Sequence, residues 1–307
     1  MSQPNRTYPS GNTAPVPPSQ KTDPLSHYQP IPVKSLKPLP RKRRRWGWWL
    51  VVLVLVYLLA PLRTNLLVLG TDRTEGMNIG RSDTILLLSI VPLQPYVSML
   101  SIPRDLWVTI PGVGEDRINT AHFYAEASQP GSGPDATLET IRANFGVRVS
   151  RYVSINFDGF VEMIDAVGGV DIELAQAEGG LPAGKHHLDA GQALAFVRER
   201  YSSDDFYRMR HGQMVVQAAV GKMANPANWW RWPGLVSALS RAVNTNVPFY
   251  DWPRLGLALL RAALTDTIDA HVIDRDYVTP YTTDQGANIL LPNWDAIHPL
   301  VVELFAP

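Results

Sequence analysis

The chain is predicted to fold as an α/β domain. The expected form is a three-layer α-β-α arrangement around a mixed, partly antiparallel central sheet, preceded by one transmembrane helix and a disordered tail. Three observations carry this reading. Short runs rich in Leu, Ile and Val, bounded by Gly, Pro or charge, read as buried strands, and they alternate with stretches of helical periodicity. The first three such runs lie too close together for a crossover helix, so they should pair antiparallel. An uncharged run of 17 residues, Trp46 to Leu62, follows directly on Arg41-Lys42-Arg43-Arg44-Arg45.

Residues 1–40 are crowded with Pro, Ser and Gln and hold too little apolar surface to offset ordering entropy, which predicts disorder. Trp46 to Leu62 is near the lower length limit for spanning hydrocarbon. Basic residues on its N-terminal side place residues 1–45 in the cytoplasm and residues 63–307 outside a single-pass cell membrane anchor. A cleaved signal peptide is disfavoured, because the charged region is long and no small-residue cleavage site follows. A nuclear signal is disfavoured by the adjoining apolar span.

Past the anchor, strands are expected at Asn65–Asp72, Ile85–Val91 and Tyr96–Ile102. A helix over Pro134–Phe145, a strand over Tyr152–Asn156 and a helix over Phe157–Val167 follow, the last stopped by Gly168-Gly169. Val170–Leu174 reads as a short strand, and Ala190–Val197 and Phe206–Met223 as helices. From 225 to 307 helices are expected at Leu235–Val243, Trp252–Leu264 and Trp294–Phe305, with strands at His271–Ile273 and Asn288–Leu291. This last region is assigned to completing one domain, which is large for a single core but within the usual range.

Charge divides the chain. Through Arg45 there are nine Lys/Arg and one Asp/Glu; removing them from the chain's 28 and 28 leaves 19 basic and 27 acidic residues. An acidic body is not a nucleic-acid surface, and no recognition-helix motif accompanies the basic run. After position 45 only Lys185 and Lys222 are lysines, so nearly every cation is the planar, bidentate anion binder arginine. The absence of cysteine excludes disulfides and thiol catalysis. The histidines show no zinc spacing.

The chemistry is expected on one rim of the first hairpin. Antiparallel pairing brings Asp72 at the end of the first strand to Arg81 and Asp83 at the start of the second. The third strand returns Arg104-Asp105 to the same edge. Two close carboxylates repel unless a cation neutralises them, and such hard oxygen ligands suit Mg²⁺. Neighbouring arginines suggest a phosphate or pyrophosphate ligand. A second cluster, Arg198-Glu199-Arg200-Tyr201, would form a two-pronged clamp if the chain runs extended there. Asp205 stands where a helix would begin, one turn before Arg208, so the two can pair. Each residue alone reads equally well as a cap, turn or surface group; their joint occurrence points to a site.

These residues sit in seven blocks: Leu69-Gly70-Thr71-Asp72, Arg81-Ser82-Asp83-Thr84, Ser101-Ile102-Pro103-Arg104-Asp105, Arg117-Ile118-Asn119-Thr120-Ala121, Asn156-Phe157-Asp158-Gly159-Phe160, Asp165-Ala166-Val167-Gly168-Gly169-Val170 and Ala195-Phe196-Val197-Arg198-Glu199-Arg200-Tyr201. Their order resembles that of the LytR–CpsA–Psr family, over about residues 63 to 224. The resemblance implies an extracytoplasmic phosphotransferase that takes a glycopolymer phosphate from a polyprenyl-pyrophosphate carrier to a peptidoglycan sugar hydroxyl. It further implies that Asp72 and Asp83 hold Mg²⁺, with Mn²⁺ as the substitute, and that Arg81, Arg104, Arg198, Arg200 and Arg208 grip the pyrophosphate. Arg81, Arg104, Asp105 and Asp205 are the implied catalytic set, with Asp205 either orienting Arg208 or acting as a base. Asp72, Asp105 and Asp205 all remain candidates for that base.

The family usually has an Arg-Gln pair three and four residues past Arg208, whereas this chain has His211-Gly212 and only then Gln213. His211 replaces the lost cation only if protonated; the alternative is a half-buried helix histidine. The carrier's tail needs an apolar groove, for which the 157–167 face and Met214-Val215-Val216 are expected walls or else ordinary core. Trp229, Trp230 and Trp232 are expected at a bilayer surface or in packing. Two other functions share these features: a polyprenyl-pyrophosphate hydrolase using water in place of the sugar, and a non-enzymatic surface adhesion or regulatory module.

Overall fold

The computed structural model describes residues 46–58, 62–72, 80–93, 96–199 and 205–305. The expected disordered tail, the pentabasic run and Arg200 lie outside these residues. Helix α1 (Trp46–Leu58) leads into β1 (Thr64–Asp72), β2 (Arg81–Val91) and β3 (Tyr96–Ile102). A hairpin of β4 (Trp107–Ile110) and β5 (Gly114–Arg117) precedes α2 (Ile118–Ser128) and α3 (Gly133–Phe145). Then come β6 (Arg151–Asn156), α4 (Phe157–Val167), β7 (Val170–Leu174), β8 (Gly184–Leu188), α5 (Ala190–Arg198) and α6 (Asp205–Ala224). A 3-10 turn joins these to α7 (Trp232–Ala242), β9 (Val243–Thr245), α8 (Trp252–Leu264) and β10 (Ile268–Val272). A hairpin of β11 (Val278–Thr282) and β12 (Asn288–Pro292) leads to α9 (Trp294–Phe305).

The central sheet has six strands in the order β10-β3-β2-β1-β6-β9. The three opening strands pair antiparallel as their short connections require, while β1–β6 and β3–β10 pair parallel. The sheet is therefore mixed. Both edge strands come from the region after 225, so that region completes the sheet.

Strand alternation splits the core into two faces. Leu67, Leu69, Ile85, Leu87 and Leu100 pack with Leu138 and Ile141 of α3 and Ile297 and Leu304 of α9. Leu66, Leu86, Leu88 and Met99 pack on the other side with Leu255, Ala258 and Ala262 of α8. Burial of each large aliphatic group contributes about 1.5–3 kcal/mol. A third cluster joins Ile164 and Val167 of α4 to Val170, Phe196 and Val215. The turn between α4 and β7 needs two glycines: Gly168 and Gly169 have φ of +80° and +76°, a conformation that side chains with a Cβ resist.

The structure bears on several expectations, and residues 59–61 of the expected 46–62 anchor lie outside the described residues. Helix α1 has 13 residues, about 20 Å of rise, and among the described residues no helix is long and apolar enough to cross a membrane. The strand expected at His271–Ile273 is Ile268–Val272, and the helix expected from Leu235 begins at Trp232, where Pro233 suits the first turn. The hairpin β4–β5 and helix α2 had no expectation. The 157–167 face, Met214 and Val215 lie in the third core cluster, as does Trp232, whereas Trp229 and Trp230 are exposed.

Gly70 faces Thr84 across the β1–β2 pair, where an added Cβ would sit 2.9 Å from the Thr84 Cβ. Neither backbone can yield without disturbing the pairing. Gly70→Ala is expected to lower unfolding stability by about 1–3 kcal/mol, measured as a shifted denaturation midpoint; an unchanged midpoint would refute this close approach.

Candidate active site

The site begins with an irregularity in the sheet. Asp72 pairs with Arg81 and Thr71 with Ser82, but Gly70 pairs with Thr84, which leaves Asp83 as an extra residue in β2. Such a bulge bends its strand and re-aims a side chain. Here Asp83 joins Asp72 and Thr84 in lining one cleft. Because Ile102 opposes Ile85, β3 ends beside the bulge, and the next residues carry Arg104 into reach. The Arg104 Nη1 donates to Asp83 Oδ1 at 3.0 Å.

Helix α6 supplies the opposite wall. Its first residue, Asp205, accepts a hydrogen bond from Arg208 Nη1 at 2.8 Å, one turn on. Asp205 Oδ2 also lies 3.2 Å from Arg104 Nε. The four side chains thus form a continuous series, Asp83–Arg104–Asp205–Arg208, that ties the sheet edge to the helix. Burial alone would weaken the hold of the Arg104 guanidinium on its proton, but Asp205, Asp83 and Asp105 outweigh it and raise its pKa above the ordinary value. The Nε of Arg208 is buried and has no hydrogen-bond partner among the described residues. An unmet charged donor in a cleft is costly, and an anion entering there would satisfy it.

Arg198 ends α5, and its guanidinium lies 4.6 Å from the centre of the Phe157 ring at the start of α4. Both residues line the cleft with Asp72, Asp83, Arg104, Asp205 and Arg208. Glu199 then leaves the helix with an extended backbone, φ −58° and ψ 130°. The backbone of Arg81 lies in β2 opposite Asp72; its side chain is outside what the structure describes, as is Arg200.

The structure therefore gathers Asp72, Asp83, Arg104, Arg198, Asp205 and Arg208. Asp105 does not line the cleft. It sits between Arg104, 3.5 Å away, and Arg117, 3.6 Å away, which suits a group that positions Arg104. Asp205 has both oxygens engaged by guanidinium groups. Among the described side chains no cation pairs with Asp72. Phe157 was expected only as part of the apolar 157–167 face; the structure places it in the cleft, with the Arg198 guanidinium over its ring.

His211 is no substitute cation. It is fully buried, stacked on Phe196 with centroids 4.1 Å apart, and its Nδ1 lies 3.2 Å from the Phe196 carbonyl oxygen. Burial pushes its pKa below the ordinary histidine value, so it stays neutral. Gln213 is also structural, since its Nε2 donates to Ser101 Oγ at 3.0 Å and to the His271 carbonyl at 2.7 Å.

The fold is an α/β domain whose central sheet ends in a cleft lined by three arginines and by two carboxylates from one hairpin, an arrangement suited to an anion. The LytR_cpsA_psr family model matches residues 61–290, and this chain belongs to the LytR–CpsA–Psr family. It is 39% identical over 189 residues to the polyisoprenyl-teichoic acid–peptidoglycan teichoic acid transferase TagU of Oceanobacillus iheyensis, covering 60% of this chain and 58% of the relative. The match thus spans less than two thirds of that relative's length. The fold is similar to the crystal structure of B. subtilis TagV, with a TM-score of 0.64 at 24% identity over 80% of this chain and 98% of the other. It is also similar to TagT bound to LIIa-WTA, with a TM-score of 0.63 at 23% identity over 79% and 89%.

The lowered pKa of His211 has a signed consequence. The unfolded chain binds a proton below the ordinary histidine pKa while the folded chain refuses it, so stability is full above about pH 6.5 and falls as pH drops from there. His211→Gln is expected to flatten this part of a melting-temperature profile between pH 7 and 5; an unaltered slope would refute the assignment.

Proposed function

We propose that this chain is a Mg²⁺-assisted phosphotransferase that moves a glycopolymer phosphate from a polyprenyl-pyrophosphate carrier to a peptidoglycan sugar hydroxyl. The observation that carries the reading is the Asp83–Arg104–Asp205–Arg208 series in one cleft with Asp72 and Arg198. Support also comes from the TagU relative, a polyisoprenyl-teichoic acid–peptidoglycan teichoic acid transferase, and from the similar TagT fold, seen bound to LIIa-WTA.

Phosphoryl transfer asks for positioning and charge neutralisation more than for covalent chemistry. The guanidinium forks of Arg104, Arg198 and Arg208 would bind the diphosphate oxygens, and Asp205 holds two of those forks at a fixed separation. Among the described residues no three His, Asp or Glu side chains cluster as a closed metal cage. Asp72 and Asp83 nevertheless fit Mg²⁺ or Mn²⁺, since such an ion takes one or two carboxylates and completes its shell with phosphate and water. When bound, the ion would neutralise charge on the departing polyprenyl phosphate. With Asp105 outside the cleft and Asp205 doubly engaged, the acceptor hydroxyl's proton would pass to an Asp72 oxygen that the ion does not use. The basic run and apolar stretch at 41–62 support a membrane anchor with the catalytic domain outside the cytoplasm.

The test supplies a lipid-linked glycopolymer pyrophosphate with and without peptidoglycan fragments. Glycan attachment should require the fragments, and Asp83→Ala or Arg104→Ala should each reduce it about 10²-fold or more. Phosphate release indifferent to the fragments would replace the transferase by a hydrolase. Full attachment by both variants would remove this cleft from the chemistry.

A further inference from the structure

Three connections that carry exposed apolar side chains meet at the end of the sheet where α1 joins it. Thr64 of β1 pairs with Ile90 of β2, so the β2–β3 turn and its Leu93 lie beside the start of β1. Val97 of β3 pairs with Ile268 of β10, which brings the α8–β10 turn and Leu264 to the same end. The β9–α8 loop, with Phe249 and Tyr250, adjoins α1 directly. Tyr57 Oη in the last turn of α1 donates to the Tyr250 carbonyl at 2.8 Å and to Asp251 Oδ1 at 2.9 Å.

Hydrogen bonds fix these connections in place. Arg254 donates to the Leu62 carbonyl at 3.3 Å and to Thr64 Oγ1 at 2.8 Å, Arg261 donates to the Pro92 carbonyl at 2.8 Å, and the Thr267 carbonyl accepts from the Val97 N–H at 3.2 Å. Leu93, Tyr250, Leu264 and Phe249 are nevertheless between 49% and 85% exposed. One exposed apolar residue is ordinary on a protein surface; four held around the base of one helix mark an interaction surface.

The occupant is indicated by α1. Every residue from Trp48 to Val56 is apolar and exposed, so the helix is uncovered on all its sides. A second copy of the chain would cover one side; a bilayer covers all of them, and its boundary then falls where Tyr57 meets the Phe249–Tyr250 loop. Aromatic rings with an apolar body and a polar tip suit that boundary. Asp251, the carboxylate of this loop, is paired with Arg254 at 3.5 Å and so does not present a bare charge to lipid. We infer that this end of the body is a lipid-docking face, with Leu93, Phe249, Tyr250 and Leu264 seated in the headgroup region of the phospholipid bilayer that holds α1. The inference rests on the membrane-anchor part of the proposed function. Strand β1 has nine residues, so Asp72 at its far end stands no more than about 30 Å from the docked face. Docking therefore holds the cleft at a set height for a diphosphate on a membrane-borne carrier.

Because the chain has no cysteine, a single introduced thiol takes a polarity-sensitive fluorophore at one chosen position. The full chain is placed in vesicles of equal parts phosphatidylcholine and phosphatidylglycerol, labelled in turn through Phe249→Cys, Leu264→Cys, Val52→Cys within α1, and Tyr281→Cys. Tyr281 is exposed on β11, whose partner β12 bonds the Asp105 carbonyl through the Leu290 N–H, so it marks the cleft end. Emission from positions 249, 264 and 52 should shift to shorter wavelength and be quenched by spin-labelled phospholipid, while position 281 stays in water. Labels at 249 and 264 that remain aqueous would overturn the docking face, and with position 52 in lipid the anchor would still stand. A shift at 249 and 264 that spin-labelled lipid fails to quench would mean cover by a second copy and would equally overturn it. Quenching at 249 and 264 with position 52 in water would uphold the face and remove α1 as the anchor.

Discussion

Asp205 stands between two guanidinium groups, and through Arg104 it is joined to Asp83 on the sheet. Without these carboxylates the arginines of the cleft would repel one another and swing toward solvent. Partly buried charges of this kind are costly to take out of water, and removing one partner leaves the other uncompensated. The series is therefore poor as a source of net stability and effective as a means of fixing geometry. It holds donors from β3's exit and from α6 at one separation before any ligand arrives, which is the preorganisation that electrostatic catalysis requires.

The remainder of the fold serves that placement. The bulge in β2 turns Asp83 into the cleft, and Gly70 allows β1 and β2 to approach closely beside it. The third core cluster, from Ile164 to Val215, sets α4, α5 and α6 against one another, so that Phe157, Arg198 and Arg208 arrive from three helices. The strands after residue 225 close both edges of the sheet and keep the opening hairpin central.

How much of this could be read from the sequence depended on whether local physics was sufficient. The short connections between β1, β2 and β3 forced antiparallel pairing, and that alone brought Asp72, Asp83 and Arg104 to one edge. The apolar face of α4 and its glycine stop were also plain. Helix α2 was not, because its buried side includes Asn119, Thr120, His122 and Glu126, so it lacks the apolar periodicity that marks a helix. Strand β10 begins three residues earlier than expected and ends one earlier, because Asp269 interrupts its apolar run; its place is set by parallel pairing with β3. His211 could be read as a replacement cation or as a half-buried helix histidine, and the stacking on Phe196 together with its complete burial places it in the core. The bulge that exposes Asp83 depends on how two strands register and leaves no mark in either one.

The near-absence of lysine beyond the N-terminal segment also defines what the cleft can feel. No lysine is among the residues that line it, and guanidinium groups keep their protons throughout the range in which proteins survive. Its positive potential is therefore a constant, unaffected by alkaline surroundings and by amine-directed reagents such as acylating agents. Whatever variation with acidity this centre displays must originate in its carboxylates or in the molecules it receives.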